Sequence, residues 1–430
     1  MRKFLVVCCG LLAAGLWARA ADGDSLSSRS HHFGFSVSLS PGKLVVIDSW
    51  QAKWQRNKNT FAVSAEVNYA TMPRDSNDFA RDYNFPIFSL GLKFNRNDVT
   101  MHRSPDPAWG MAEEVDYDSR LGNVATLYAT FTRPIFRNRR WMFDYMLGTG
   151  ISYGKHIYDK NDNIDNELTG SRFLIYFTAG LHATWRFADD WGLMGGINYY
   201  HHSNGALNRP NKGANFVGPV IGLRYMPYFR EFRSSGVQEF RNKEMGSKEA
   251  FQKRFYANFA LGIGGKTLNE DWQLTQFQTP PGDDDYRTGK FHFYMAYSLQ
   301  ADVMLRYARR WASGIGADLF YGAYADRVKE IDRNGLLGKP SFSKISPWSF
   351  GMAVKHNAYY GNLSLRMSLG FYLYRHMGSN AKDIEKPYYE RIGLHYAFPR
   401  LGGLSIGCNV KAHLTKADFT ELVIGYPIAL

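Results

Sequence analysis

A histidine and a serine two positions apart are the residues of this chain best placed to do chemistry. They lie in the segment 191–228, where two alternating stretches flank a loop rich in Gly, Asn and Pro, a pattern that predicts a β-hairpin. Residues i and i+2 of a strand point to the same face, so His201 and Ser203 would point together. A hydroxyl beside an imidazole is the minimum for an activated nucleophile, and the pair therefore predicts a hydrolytic site.

The start of the chain predicts export. A basic pair, an apolar run and Ala18-Arg19-Ala20 indicate a signal peptide at 1–20. Its removal leaves Cys408 as the one cysteine, which allows no intrachain disulfide. The formal net charge of +13 falls to +10 without the three basic residues of that segment. Such a charge suits an anionic surface such as phosphorylated lipid, and nucleic acid is not expected because no recognition motif is present.

Period-two alternation recurs along the mature chain. Between 363 and 373 every second residue is apolar, while the opposite face carries Ser364, Arg366, Ser368 and Gly370. Apolar residues outside and polar or small residues inside are typical of a barrel wall in lipid. Together with 16% aromatic residues, this predicts an all-β, transmembrane antiparallel β-barrel in the bacterial outer membrane. A secreted β-sandwich is the competing class, although it rarely builds strands of about 13 residues repeatedly.

The two halves of the chain resemble each other. GLMGGINYYHHSN, from Gly192, matches GLSIGCNVKAHLT, from Gly403, so that His202 falls on His413. The first half, 21–228, is then a barrel half, 229–250 a charged linker, and 251–430 a second copy. This copy is degenerate, because Ala412 and Leu414 stand at the positions of His201 and Ser203.

The number of barrels is left open by the repeat. Candidate strands, the first near 43–55, would form one barrel of about 16 strands or two tandem eight-stranded barrels. We favour the single barrel, because chains with two barrels are the rarer arrangement.

The barrel places the chemistry on its outer wall. Leu193, Ile197 and Tyr199 precede His201 and Ser203 on one face, so the pair should face lipid near the extracellular end. Ser203 is then the nucleophile and His201 the general base and later acid. The returning strand projects Asn215 beside them to orient the imidazole.

Neighbouring loop residues could support this site. Backbone N–H groups of Asn204 and Gly205, where the strand breaks into the loop, could bind a developing oxyanion. Arg209 and Lys212 could contact lipid phosphates, although solvent-facing loop charges are the simpler interpretation.

The motif in this hairpin resembles that of the lipid A 3-O-deacylases (PagL-like outer-membrane barrels). The shared run is H-x-S-N at 201–204, a turn of small residues, P-N-x-G at 210–213, and a polar residue at 215. The motif is confined to about 195–228, and the strand pattern extends the resemblance over roughly 43–228.

The resemblance implies an eight-stranded barrel whose outward-facing serine hydrolyses the 3-position acyl ester of lipid A without a metal or cofactor. The family's His and Ser correspond to His201 and Ser203, and its neighbouring Asn to Asn204. The partner implied is lipid A or lipopolysaccharide in the outer membrane. The family's acid position is held by Asn215, which stabilises an imidazolium less than a carboxylate does. The alternative function is a porin-like or structural barrel with a vestigial site.

Overall fold

The computed structural model describes five stretches of the chain: 31–104, 114–234, 251–383, 387–414 and 416–430. The predicted signal peptide and residues 235–250 of the predicted linker lie outside these described residues. No helix in the described stretches is long and apolar enough to cross a membrane.

Eight long strands close into a first barrel. They are β1 (Phe33–Val45), β3 (Asn59–Ala70), β4 (Ile87–Asn97), β7 (Val124–Arg137), β8 (Trp141–Gly154), β9 (Phe173–Arg186), β10 (Trp191–Ser203) and β11 (Ala214–Tyr225). All neighbours are antiparallel, and β1 pairs with both β3 and β11, which closes the barrel. Three short strands, β2 (Gln55–Asn57), β5 (Thr100–Met101) and β6 (Ser119–Arg120), form a separate small sheet from its loops.

Eight further strands close into a second barrel. They are β12 (Arg254–Thr267), β13 (Phe293–Ala308), β14 (Trp311–Gly322), β15 (Trp348–Tyr360), β16 (Leu363–Arg375), β17 (Tyr388–Phe398), β18 (Leu404–His413) and β19 (Lys416–Ala429). Each pairs with its neighbour in sequence, and β19 returns to β12. Helices in the described loops span Ser49–Ala52, Asp78–Asp82, Phe229–Ser234, Asn269–Phe277, Ala325–Arg333 and Gly378–Asp383.

The prediction of an all-β, antiparallel outer-membrane barrel is confirmed, whereas our preference for a single barrel of about 16 strands is wrong. The alternative, two tandem eight-stranded barrels, is the observed arrangement. A single barrel would pair β11 with β12, but β11 pairs with β1, and β12 pairs with β19. In each set of eight strands, the first and last strands pair with each other. Neither barrel therefore needs the other to complete its backbone hydrogen bonds in lipid.

The first strand begins earlier than the sequence pattern indicated. β1 runs over Phe33–Val45, and the predicted strand near 43–55 is instead the end of β1 followed by the helix Ser49–Ala52. Asp48 caps this helix by accepting a hydrogen bond from Gln51 N–H. Pro41 lies inside β1, where the paired residues of β1 and β11 skip from Leu39 to Lys43. Proline has no N–H to donate to a neighbouring strand, so its presence argued against a strand at this position in the sequence.

Both interiors are filled by polar and aromatic side chains. In the first barrel, the Asp144 carboxylate accepts hydrogen bonds from Arg224 (3.0 Å) and contacts His182 (3.0 Å). In the second, Asp318 is bound by Lys355 (2.7 Å) and by the Tyr389 hydroxyl (2.6 Å). An eight-stranded barrel has an interior just wide enough for side chains. Both are packed cores and not wide pores.

The two barrels touch at both ends of their strands. At the end with short turns, Tyr360 of the second barrel packs against Phe88 of the first, with ring centroids 4.8 Å apart. Arg309 forms an ion pair with Asp78 (3.0 Å), in the helix that follows β3. At the other end, the hydroxyl of Tyr158 donates to the carbonyl of Arg287 (2.7 Å).

Candidate functional site

The candidate site lies where β10 ends. Longer loops connect the strand ends at the end of the barrel where β10 finishes, while short turns such as 187–190 lie at the opposite end. Since long loops of such barrels are extracellular, β10 ends on the extracellular side. Tyr200 and His202 point into the barrel: Tyr200 stacks on Phe216 at 4.9 Å, and His202 Nδ1 lies 3.0 Å from Ser152 Oγ. By alternation His201 and Ser203 lie on the other face, in line with the exposed Ile197.

His201 is held by the neighbouring strand. It pairs directly with Asn215 of β11, and its Nδ1 lies 2.7 Å from Asn215 Oδ1. The Tyr199 hydroxyl donates to the same oxygen at 2.7 Å. Since an amide oxygen only accepts, this bond requires a proton on His201 Nδ1. The other ring nitrogen, Nε2, is therefore left as the basic atom, which is the tautomer that a general base needs.

Ser203 ends the strand beside this group. It pairs with Ile175 of β9, and only 8% of it is exposed. Among the described residues, no hydrogen bond joins Ser203 Oγ to the His201 ring. Such bonds are often long in unliganded enzymes and tighten when substrate binds.

Residues 204–213, which we call the site loop, begin with a tight turn. Leu207 N–H donates to Asn204 C=O (3.2 Å), and the two central residues, Gly205 and Ala206, have φ of 63° and 69°. These values are typical of a type I′ turn, in which glycine is favoured and alanine is strained. The turn therefore needs support from outside itself.

The predicted oxyanion donors differ in availability. The N–H of Asn204 donates to Asn211 Oδ1 (2.9 Å), and its side-chain amide donates to Ser171 Oγ and to Asn208 C=O, each at 3.0 Å. No hydrogen bond of the described residues uses the N–H of Gly205. Asn204 thus shapes the loop in this structure, and Gly205 N–H is the available donor.

Ion pairs anchor the far end of the site loop. Lys212 Nζ lies 2.7 Å from Glu167 and 3.4 Å from Asp48, and Arg103 also pairs with Glu167. Burial alone would raise the pKa of Glu167, but Lys212 and Arg103 outweigh it and lower that pKa to about 2. Arg209 Nε donates to the carbonyl of Thr267 in the second barrel (3.2 Å). Both predicted phosphate contacts, Arg209 and Lys212, are therefore engaged within the protein.

Sequence reasoning missed two residues around His201. Alternation placed Tyr199 on the same face, but the hydrogen bond from its hydroxyl to Asn215 was not predicted. Gly213 has φ of 74°, and a Cβ there would lie 2.7 Å from His201 Cε1, so a larger residue would displace the imidazole. Glu167, from another loop, carried no local signal. The described residues hold no group of three or more His, Cys, Asp or Glu side chains that could bind a metal.

The second barrel lacks the same arrangement at the end of β18. Ala412 and Leu414 replace the pair, and Leu414 is 52% exposed. The pairing of β18 with β19 shifts between Lys411 and Ala412. This irregularity turns Asp418, the counterpart of Asn215, into the barrel, where it pairs with Lys266 and Lys411.

The chain has only low similarity to the solved outer-membrane proteins that it matches. The chain is similar to an outer membrane channel from Pseudomonas putida, at 9% identity, 95% coverage of this chain and 100% of that one, with a TM-score of 0.19. It is similar to OccK8 (OprE) of Pseudomonas aeruginosa, at 11% identity, 93% and 98% coverage, with a TM-score of 0.20. Such low scores carry no argument. No curated protein matches the chain.

Two family models match the chain, one to each barrel. Residues 42–224 match the model described as lipid A 3-O-deacylase (PagL), and residues 255–429 match the one described as acyloxyacyl hydrolase, C-terminal domain. The first match spans the strands that carry His201, Ser203 and Asn215, and the resemblance drawn from the H-x-S-N run is confirmed. The chain is an outer-membrane β-barrel protein whose first barrel, residues 42–224, matches the lipid A 3-O-deacylase (PagL) family.

Proposed function

We propose that this protein is a serine esterase that removes the ester-linked acyl chain at the 3-position of lipid A. Ser203 serves as nucleophile, His201 as general base and acid, and Asn215 as the group that orients the imidazole. The observation that carries this proposal is the bond of His201 Nδ1 to Asn215 Oδ1, which leaves Nε2 basic, two residues along the strand from a serine. The match of the first barrel to the lipid A 3-O-deacylase (PagL) model supports the substrate class.

The reaction follows from these positions. Ser203 Oγ attacks the ester carbonyl, and its proton passes to His201 Nε2. Gly205 N–H donates to the oxygen that becomes negative. When the tetrahedral intermediate collapses, His201 returns the proton to the sugar oxygen that leaves. Water then attacks the acyl-serine and gives a proton to His201 Nε2. When this second intermediate collapses, the fatty acid is released and His201 returns the proton to Ser203 Oγ.

The position of the site suits a lipid that stays in its membrane. Ser203 lies on the wall's outer face and near its extracellular end, at the depth where acyl chains join the sugar headgroup in the outer leaflet. A site there can reach an ester without extracting the molecule. Asn215 supports His201 with less charge than a carboxylate, so we expect a slow enzyme.

The test is Ser203→Ala in cells that make the protein, with lipid A analysed by mass spectrometry. We expect wild-type protein to yield lipid A that lacks one acyl chain and the variant to lose activity by about a thousandfold or more. The matched control is Ser313→Ala, which removes a hydroxyl 2.9 Å from His356 in the second barrel and should leave deacylation unchanged.

Two outcomes would contradict the proposal. Deacylation retained by Ser203→Ala would assign the chemistry elsewhere, and lipid A unchanged by the wild type would favour a structural barrel. The porin-like alternative is disfavoured by the packed interiors of both barrels. It predicts ion conductance in planar bilayers, which we do not expect.

A further inference from the structure

The site loop of the first barrel is held by the second barrel at its strained turn. The Thr420 hydroxyl, at the start of β19, donates to Gly205 C=O at 2.9 Å. Thr267, the last residue of β12, donates to Ala206 C=O from its N–H at 3.0 Å and from its hydroxyl at 3.3 Å. Consecutive carbonyls of one turn are thus bound by two strands of the other barrel.

These bonds fall on the two residues that most need them. Gly205 and Ala206 both have positive φ, and alanine is rarely stable in that conformation without compensation. A Cβ at position 205 would lie 2.3 Å from Thr420 Oγ1, so the second barrel also approaches too closely for any residue but glycine. The second barrel therefore restricts both the conformation and the identity of the turn.

Fixing these carbonyls also fixes the N–H groups of the turn. A peptide unit is planar, so an N–H points opposite to the C=O of the same unit. Thr420, bound to the carbonyl of Gly205, sets the direction of the N–H of Ala206. Thr267, bound to the next carbonyl, sets that of Leu207 N–H, which closes the turn onto Asn204 C=O. Gly205 N–H, the proposed oxyanion donor, lies inside the turn that these bonds hold.

We propose that the second barrel is a positioning element for catalysis: Thr267 and Thr420 hold the turn that presents the oxyanion donor beside Ser203. This rests on the proposed function of the first barrel. It gives the second barrel a role although its own outer wall carries Ala412 and Leu414. Neither threonine touches the reacting atoms, so both are positioning residues.

The experiment uses the full chain with Thr420→Val and the double variant Thr267→Val/Thr420→Val. Valine keeps the shape of threonine but cannot donate. Since one hydrogen bond contributes on the order of a five- to tenfold factor, we expect kcat for lipid A to fall about fivefold in the single variant. It should fall further in the double variant, with KM unchanged. Thr420→Ser, which keeps the hydroxyl, should restore kcat.

A second readout is hydrogen–deuterium exchange of peptides that cover the site loop. Exchange should speed up in both valine variants and stay as in wild type in Thr420→Ser. The matched control is Thr279→Val: its hydroxyl donates to Leu274 C=O within the second barrel, so its loss should change neither kcat nor site-loop exchange.

The outcomes separate this inference from the proposed function. Valine variants with wild-type kcat, or faster exchange without loss of kcat, would overturn the positioning role, as would failure of Thr420→Ser to restore activity. If the wild type itself does not deacylate lipid A, the proposed function fails. In that case hydrogen–deuterium exchange alone tests the present inference. Site-loop exchange that is unchanged in the valine variants would show that the second barrel does not hold the turn.

Discussion

In the first barrel the penultimate strand ends with His201 and Ser203 on one face, while in the second barrel Ala412 lies near the end of β18 and Leu414 follows its last residue. Inside the barrels, the contacts between β9 and β10 and those between β17 and β18 agree closely. His182 Nε2 lies 2.8 Å from Asn198 Oδ1 in the first barrel, and His395 Nε2 lies 2.7 Å from Asn409 Oδ1 in the second. The two barrels therefore share this interior pair and differ in the outer one.

Small residues around these interior pairs explain why they persist. A Cβ on Gly180 would lie 2.3 Å from Asn198 Oδ1, and one on Gly393 would lie 1.9 Å from Asn409 Oδ1. The amide occupies the space that a side chain would need, so histidine, asparagine and glycine must change together. On the outer wall, the first barrel has a comparably close contact, with Gly213 against His201, where the second barrel has Ala412 and Leu414.

The largest expected effect comes from His201→Ala, which removes the proposed base. Deacylation should fall by about a thousandfold or more, measured as release of fatty acid from lipid A in detergent micelles. The matched control is His413→Ala in the second barrel, whose imidazole contacts the Tyr372 hydroxyl at 2.9 Å inside the barrel. Equal losses in both variants would show that the two barrels do not differ in the way described.

Substitutions of Asn215 test how strongly the group that orients His201 affects kcat. Asn215→Asp would place a carboxylate beside His201 Nδ1 and should raise kcat about tenfold, because a negative charge stabilises the imidazolium. Asn215→Ala should lower kcat by about a hundredfold. Tyr199→Phe, which removes only the second donor to Asn215, is the control and should cost no more than a few-fold. A slower Asn215→Asp enzyme would contradict the assigned role.

The ion pairs of Glu167 predict that the site loop becomes less ordered at low pH. Its pKa is lowered from 4.5 to about 2, so its ion pairs are complete above about pH 4.5 and are lost as the pH falls towards 2. Site-loop exchange in the wild type should rise over that range. Glu167→Gln should show faster exchange at neutral pH, a few-fold lower kcat and no acid transition of this origin. Glu330→Gln, which removes an exposed partner of Arg327, should behave as wild type.

The smallest effect on activity is expected inside the barrels. Asn198→Ala removes a half-buried partner of His182, and Asn409→Ala removes a buried partner of His395. Each should lower the free energy of unfolding by about 1–3 kcal/mol. Deacylation by the folded protein should be unchanged in both. Unfolding in urea, followed by tryptophan fluorescence in detergent, measures this. Clearly unequal losses would contradict the equivalence of the two interiors.

Much of this architecture could be predicted because apolar and polar residues alternate along a strand that spans a membrane. The faces of β10 follow from alternation alone, and pairing across one hairpin is enough to predict that Asn215 lies beside His201. Strand ends were harder, since Pro41 interrupts the pattern of β1. Glu167 could not be found, because it reaches Lys212 from a loop that is distant in sequence.

The barrel class, the similarity of the two halves and the shared face of His201 and Ser203 could be inferred from the amino-acid sequence, since each depends on local patterns in the chain. The closure of the sixteen long strands into two barrels became evident only from the fold, because it depends on whether β1 pairs with β11 or with a strand of the other half. The tertiary structure alone showed Thr267 and Thr420 at the turn after Ser203. Contacts between separately closed barrels leave no periodic trace in either, so no pattern in the chain could have indicated them.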